Sequence, residues 1–274
     1  MTAPAPDPRR PRRSPAARVP FARRRSLGAF LILAPLGVAP HAWSQVAAST
    51  TITTNYLYRG VSLSDGQPAL DLALLYDDKS GAYLGGSLIG EVTRGRGAQW
   101  LGHQEYLGYA LRLPAGPTLD LGVNNLYYRN YSYPYGDADA TEVYAGWVTS
   151  LLNYYVHYSP NYFRPGARAL YGEVNGAVRL PRPLRLFGHL GALTPLGGGY
   201  DNKERYDVRA GIAAAFKHGE VQLAWTTERP APVYVPPAPG YVAADAGYVA
   251  SPPVHVAPAS QGRGVVALGL TWFF

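Results

Sequence analysis

The chain has 274 residues, a formal net charge of +7 and no cysteine. Residues 1–44 hold eight arginines and one acid, Asp7, so residues 45–274 carry seventeen basic and seventeen acidic groups and no net charge. That balance gives no electrostatic case for a nucleic-acid partner. The missing cysteines exclude a disulfide scaffold and zinc–thiolate sites. No cofactor and no metal are expected.

The leader comes first. Residues 4–25 are basic, rich in Pro and Ala, and lack an apolar period. Residues 27–38, LGAFLILAPLGV, form an apolar run interrupted by Pro35 and too short to span a bilayer as a helix. Ala42-Trp43-Ser44 then places small residues where a signal peptidase reads. This order describes a secretory signal peptide over residues 1–44, cleaved after Ser44, with Ala48 as a second candidate. Arg24-Arg25 fits a twin-arginine signal less well, because a membrane barrel is exported unfolded.

Beyond Ser44 the sequence offers roughly ten-residue segments of period-two alternation, the per-segment signature of a membrane β-barrel. The predicted strands are 48–63, 69–77, 82–92, 100–113, 118–131, 141–150, 153–159, 169–180, 184–194, 206–216, 221–227 and 265–274. In the eighth, Leu170, Val174 and Val178 share one face while Tyr171, Glu173, Asn175 and Arg179 share the other. Residues 77–81, 114–117, 181–183 and 218–219 read as tight turns, and 151–152 as a two- or three-residue link. The intervening connections read as long, apart from 64–68. Short turns on one side and longer loops on the other, with an even strand number, are properties of outer-membrane barrels. The predicted fold is therefore an all-β, transmembrane, antiparallel up-and-down barrel of about twelve strands, residues 45–274. Residues 229–263, rich in Pro and Tyr-Val repeats, form no ordinary strands and are read as an external loop.

The last segment, VVALGLTWFF, sets Val266, Leu268, Leu270, Trp272 and Phe274 on one face and ends on an aromatic. A soluble sheet would need a second layer over that face; a lipid-facing strand needs none. The pattern resembles the C-terminal strand read by the bacterial barrel-assembly machinery. Tyr (22) outnumbers Phe (7), as suits rings held half in water. Tyr127, Tyr128, Tyr154 and Tyr155 are expected in the interface girdle.

NYLYRGVSLSDGQPALDLALLYDDKSGAYLGG, residues 55–86, resembles the start of the TorF-type family of proteobacterial outer-membrane porins, and YSPNYF, residues 158–163, is similar to a second family segment. The resemblance implies an outer-membrane barrel with a porin label. It implies no established substrate and no catalytic residues.

On this register Arg59, Arg112, Arg179, Arg185 and Arg209 point inward, as do Asp71, Asp120, Glu142, Glu173 and Asp207. They are the candidate lumen-lining residues, either lining a water-filled pore or pairing across a filled one. Their signs balance, so little ion preference is expected. Twelve strands give a narrower bore than the sixteen to eighteen of open porins. The expected function is passive passage of small solutes or ions, with outer-membrane lipid, the assembly machinery and small solutes as partners. The alternatives are a non-conducting structural or adhesion barrel and a lipid hydrolase. The last would use His157 and Ser159, two apart on one strand, with Asn175 as a third group. The inward register of His157 and Ser159 argues against it.

N-terminal sequencing of the exported protein is expected to return Gln45. Retention of the arginine-rich segment would contradict the cleavage assignment.

Overall fold

A computed structural model describes residues 45–95, 97–114, 116–132, 136–198, 203–229 and 264–274, with backbone alone at 130–132 and 136–138. The predicted signal peptide and residues 230–263 of the Pro-rich stretch lie outside these residues. The strands are β1 (Gln45–Thr53), β2 (Leu57–Tyr58), β3 (Val61–Ser62), β4 (Ala69–Asp77), β5 (Ala82–Thr93), β6 (Gly97–Arg112) and β7 (Thr118–Ser132). They continue as β8 (Gly136–Val148), β9 (Leu152–Ser159), β10 (Arg168–Arg179), β11 (Leu184–Gly197), β12 (Arg205–Phe216), β13 (Gly219–Arg229) and β14 (Val265–Phe273).

Twelve of these strands close into one antiparallel barrel, each paired with its chain neighbour and β1 joining β4 to β14. The closing seam runs from Ser49 opposite Phe273 to Thr53 opposite Gly269. At its middle the Thr51 and Thr271 hydroxyls lie 2.9 Å apart. Closure leaves no strand edge, which a bilayer requires because it offers no water to satisfy one.

The alternation sorts the side chains as a membrane barrel must. Leu70, Leu72 and Leu74 on β4, Leu107 and Leu111 on β6, and Leu223 on β13 point out of the barrel and are exposed. Val266, Leu268, Leu270, Trp272 and Phe274 do the same at the chain end. Aromatics flank this band in two belts. Tyr76, Tyr109, Trp147, Tyr154, Phe216 and Trp272 lie toward the tight turns, and Trp100, Tyr158, Tyr206 and Trp225 toward the other end. Such belts mark the two membrane–water boundaries. The fold is a transmembrane antiparallel β-barrel.

Connections 78–81, 113–117, 149–151, 180–183 and 217–218 gather at the end that also holds Gln45 and Phe274. Loop lengths at the opposite end are less uniform than the sequence suggests. The β5–β6 and β7–β8 connections, expected to be long, shrink to residues 94–96 and 133–135. Their ladders continue outward, with Val92 opposite Ala98 and Ser132 opposite Gly136, after a register shift in each pair.

The largest departure is at the first predicted strand. Residues 48–63 do not form one strand: β1 stops at Thr53, and β2 and β3 form a separate two-stranded hairpin. Arg59 and Gly60 form its turn with φ of 46° and 80°, the both-positive geometry of a two-residue type I′ turn. This hairpin folds into the mouth of the barrel.

Two of the four tyrosines expected in the girdle point inward instead. Tyr128 and Tyr155 are buried in the lumen, while Tyr154 faces out. Adjacent residues on a strand face opposite ways, so Tyr127-Tyr128 and Tyr154-Tyr155 cannot each supply two girdle rings. The inward rings lie over glycines of the neighbouring wall. A Cβ at Gly122 or Gly146 would collide with the Tyr144 or Tyr155 ring.

Leu268, opposite Leu223 on the outer face, provides a test of that surface. Leu268→Arg should lower the unfolding free energy in lipid vesicles by about 2–4 kcal/mol, read from denaturant titration. An unchanged value would show that hydrocarbon does not cover this face.

Candidate functional site: the lumen and its hairpin

The hairpin is held first by its own polar contacts. The Leu63 N–H donates to the Tyr56 carbonyl at 2.8 Å. The Ser64 hydroxyl accepts the Tyr56 N–H at 2.8 Å and lies 2.8 Å from the Gln67 carbonyl. Ser62 donates to Asn55 Oδ1 at 2.6 Å. These short-range bonds satisfy a backbone that has left the barrel ladder.

Its apolar side then builds a core inside the mouth. Tyr56 and Tyr58 pack with Ala69, Ile89, Leu101, Leu126, Tyr128, Ala140 and Phe163, all buried. The Tyr58 ring meets Tyr128 at 5.6 Å and Phe163 edge-on at 5.8 Å. Gln104 donates to the Tyr56 hydroxyl at 3.0 Å.

The turn itself reaches the polar middle of the lumen. Arg59 donates to both oxygens of Glu142 on β8, at 2.6 and 2.8 Å. Its guanidinium lies 3.8 Å from the centre of the Tyr171 ring. Both partners are buried, at 7% and 1% side-chain exposure. A bidentate charge-assisted pair stacked on an aromatic face uses every feature that separates Arg from Lys. Gly60 is equally committed: a Cβ there would lie 2.8 Å from Glu228 Cβ and 2.9 Å from Asp207 Cβ. The tip therefore touches β12 and β13 while Arg59 bonds β8.

From Glu142 a chain of ionisable groups runs along the wall. His157 Nδ1 lies 3.4 Å from Glu142 and its Nε2 3.9 Å from Glu173. His189 Nε2 lies 2.7 Å from Asp207, and its Nδ1 2.7 Å from Asn175 Oδ1. Tyr171 donates to Asp207 at 3.1 Å. A second cluster centres on Asp120, which accepts from Tyr83 at 2.5 Å and Tyr155 at 3.0 Å.

The ten predicted lumen residues divide accordingly. Glu142, Glu173 and Asp207 meet in one network, and Asp120 anchors the tyrosine cluster. Arg59 joins the network too, but from the hairpin and not from the wall position its register implied. Asp71 is inward on β4, half-buried. Arg112 and Arg179 have inward parity yet sit exposed beside the turns. Arg185 pairs with Glu220 at 2.6 Å, and Arg209 donates to Gln222 at 3.2 Å. The expectation of balanced charge holds in number only. The acids concentrate in the network, the arginines of β10–β12 nearer the turns.

Sequence reasoning missed His189, Tyr171, Tyr155 and Gly60 as members. Alternation already set the first three inward. Gly60 carried its own signal as a glycine inside a predicted strand of sixteen residues, longer than the nine to eleven that cross a membrane. The hydrolase arrangement does not form. Ser159 donates to the Thr141 carbonyl at 2.9 Å, His157 lies between carboxylates, and Asn175 bonds His189.

The family model described as "Bacterial protein of unknown function (Gcw_chp)" matches residues 38–249, and the chain belongs to that family. No curated protein sequence matches it. Among solved structures it is similar to the NanC porin, at 10% identity and TM-score 0.44, over 83% of this chain and 98% of that one. It is also similar to Salmonella typhi OmpF in complex with daunomycin, at 9% identity and TM-score 0.38, over 84% and 97% of the two chains. A third is OmpT, an outer membrane protein of Vibrio cholerae, at 8% identity and TM-score 0.37, over 85% and 99%. These scores are too low to carry an argument; the barrel assignment rests on the closed sheet itself.

Gly60→Val should undock the hairpin tip, since it adds a clash with Glu228 and Asp207 and a left-handed strain of about 1–2 kcal/mol. Trypsin cleavage after Arg59 reports it. The folded wild type should resist at this site and the variant should be nicked there. Equal resistance would contradict the docking.

Proposed function

We propose that the protein is an outer-membrane porin of the TorF type for passive passage of small solutes or ions, with its conductance limited by the inward-folded hairpin at 54–68. The observation that carries this is the polar construction of the lumen together with a closure that is separate from the wall. Carboxylates, imidazoles and guanidiniums line the interior, where an enclosed filler could have been apolar. The hairpin closing the mouth is joined to the wall chiefly by side-chain contacts centred on Arg59 and its aromatic neighbours, without strand pairing to the barrel. A segment fixed in that way can leave without opening the sheet.

Export by a signal peptide over residues 1–44, recognition of the β14 strand by the assembly machinery and residence in the cell outer membrane complete this reading. The apolar outer face of the barrel, β14 included, supports it. β13 ends at Arg229 and β14 begins at Val265, both on the side opposite the tight turns, which supports an external loop for the stretch between them.

A second reading, a non-conducting structural barrel, draws on the complete burial of Tyr155, His157 and Tyr171 inside the lumen.

Planar-bilayer recording separates the two. Wild type should give small or infrequent steps, and a variant lacking residues 57–62 should give steps several-fold larger. Absence of conductance from that variant, when it retains the heat-modifiable electrophoretic mobility of a folded barrel, would remove the pore reading.

A further inference from the structure

Below the hairpin, toward the tight turns, the lumen changes character. Arg179 ends β10 and Arg185 is the second residue of β11, and the two are direct register partners with inward parity. Two residues on, Phe187 also points inward. Its ring is flanked by the Arg185 guanidinium at 5.4 Å and by the Arg209 guanidinium at 5.3 Å. Arg209 is in turn the register partner of His189. Two guanidiniums from adjacent strands thus flank one aromatic ring, and Arg179 is the cross-strand partner of one of them.

This grouping is costly as it stands. Like charges directly opposite on neighbouring strands are destabilising. Glu220 engages Arg185 at 2.6 Å, Arg209 has the Gln222 amide oxygen among its acceptors, and Arg179 has no ion pair among the described residues. Accessibility is graded along the same path. Side-chain exposure is 30% at Arg185, 17% at His189, 5% at Glu173 and 1% at Glu142. Along β10 and β11 the inward wall is therefore more accessible and more basic toward the turns, a vestibule with Glu173 and Glu142 deeper in, while Asp77, Asp120 and Glu220 also face inward at the turn end.

From this we infer that the Arg179–Arg185–Arg209 vestibule binds a small organic oxyanion whose apolar part lies against Phe187. Adjacent guanidiniums present planar forks that match a carboxylate or phosphate in two-point contact. The negative charge of the network above the vestibule favours one orientation of such a group: charged end on the arginines, apolar body on the ring. The inference deepens the pore reading by naming a solute class and rests on it for passage, but binding itself needs only the open end of the vestibule.

Isothermal titration of the refolded barrel in zwitterionic detergent tests it, with benzoate as the probe and benzamide as its neutral counterpart. Saturable benzoate binding, on the order of millimolar or tighter, is expected for wild type and for the variant lacking residues 57–62. Benzamide should bind at least about tenfold more weakly, and the Arg185→Gln/Arg209→Gln variant should lose about tenfold in benzoate affinity, as for removal of charge-assisted bonds. Absence of saturable binding, equal affinity for benzamide, equal affinity in the double variant, or loss of binding with the hairpin would each overturn the site. If the double variant does not fold, Arg179→Gln, at the exposed rim, serves in its place. It should weaken benzoate binding measurably, and unchanged affinity would overturn the assignment. Because these titrations require no conductance, a barrel that binds but does not conduct would remove the pore reading alone.

Discussion

Arg59 and Glu142, separated by 83 positions in sequence, meet in the lumen through two short bonds with almost no access to water. Taking either charge out of water alone costs several kcal/mol. The pair therefore holds only while both partners are in place, and everything around it serves that condition. Tyr171 lies under the guanidinium, Asn124 and His157 approach the carboxylate, and the Tyr56–Tyr58–Phe163 core keeps the hairpin from tilting. The same arithmetic gives the closure its character. Whatever removes one partner leaves an uncompensated buried charge.

The barrel wall obeys a different constraint. With lipid outside, its apolar residues need no protein layer above them, and its packed interior is the lumen. Side chains in that lumen must then be satisfied by one another. Glycines on one strand receive tyrosine rings from the next, and the ring hydroxyls of Tyr83 and Tyr155 end on Asp120. The result is an interior that is polar and largely filled, with greater access at Arg179 and Arg185 beside the turns. Wall and lining answer to different surroundings: the wall to lipid, the lining to its own side chains.

Much of the wall was legible because alternation records it directly. The β4 bounds 69–77 and the β14 face from Val266 to Phe274 follow from the period alone, and a one-residue slip would have put every leucine inside. What alternation cannot express is a segment that alternates but does not join the ladder. Residues 54–63 keep a period-two pattern because Tyr56 and Tyr58 pack inward while Leu57 and Arg59 do other work, so the hairpin was read as more of β1. Only Gly60 and the excess length disagreed. The segregation of charge along the axis was likewise invisible. Inward parity gives a list of groups, whereas the position of Arg209 beside Phe187 depends on how β11 and β12 are staggered.

The coupling between hairpin and wall is measured most directly by a double-mutant cycle on Arg59→Gln and Glu142→Gln, read as unfolding free energies of the refolded barrel. If the buried pair holds the closure, the two single losses will overlap, and the double variant will be more stable than their sum predicts by more than about 1 kcal/mol. Additivity within about 0.5 kcal/mol would mean that the hairpin is held by something other than this bond.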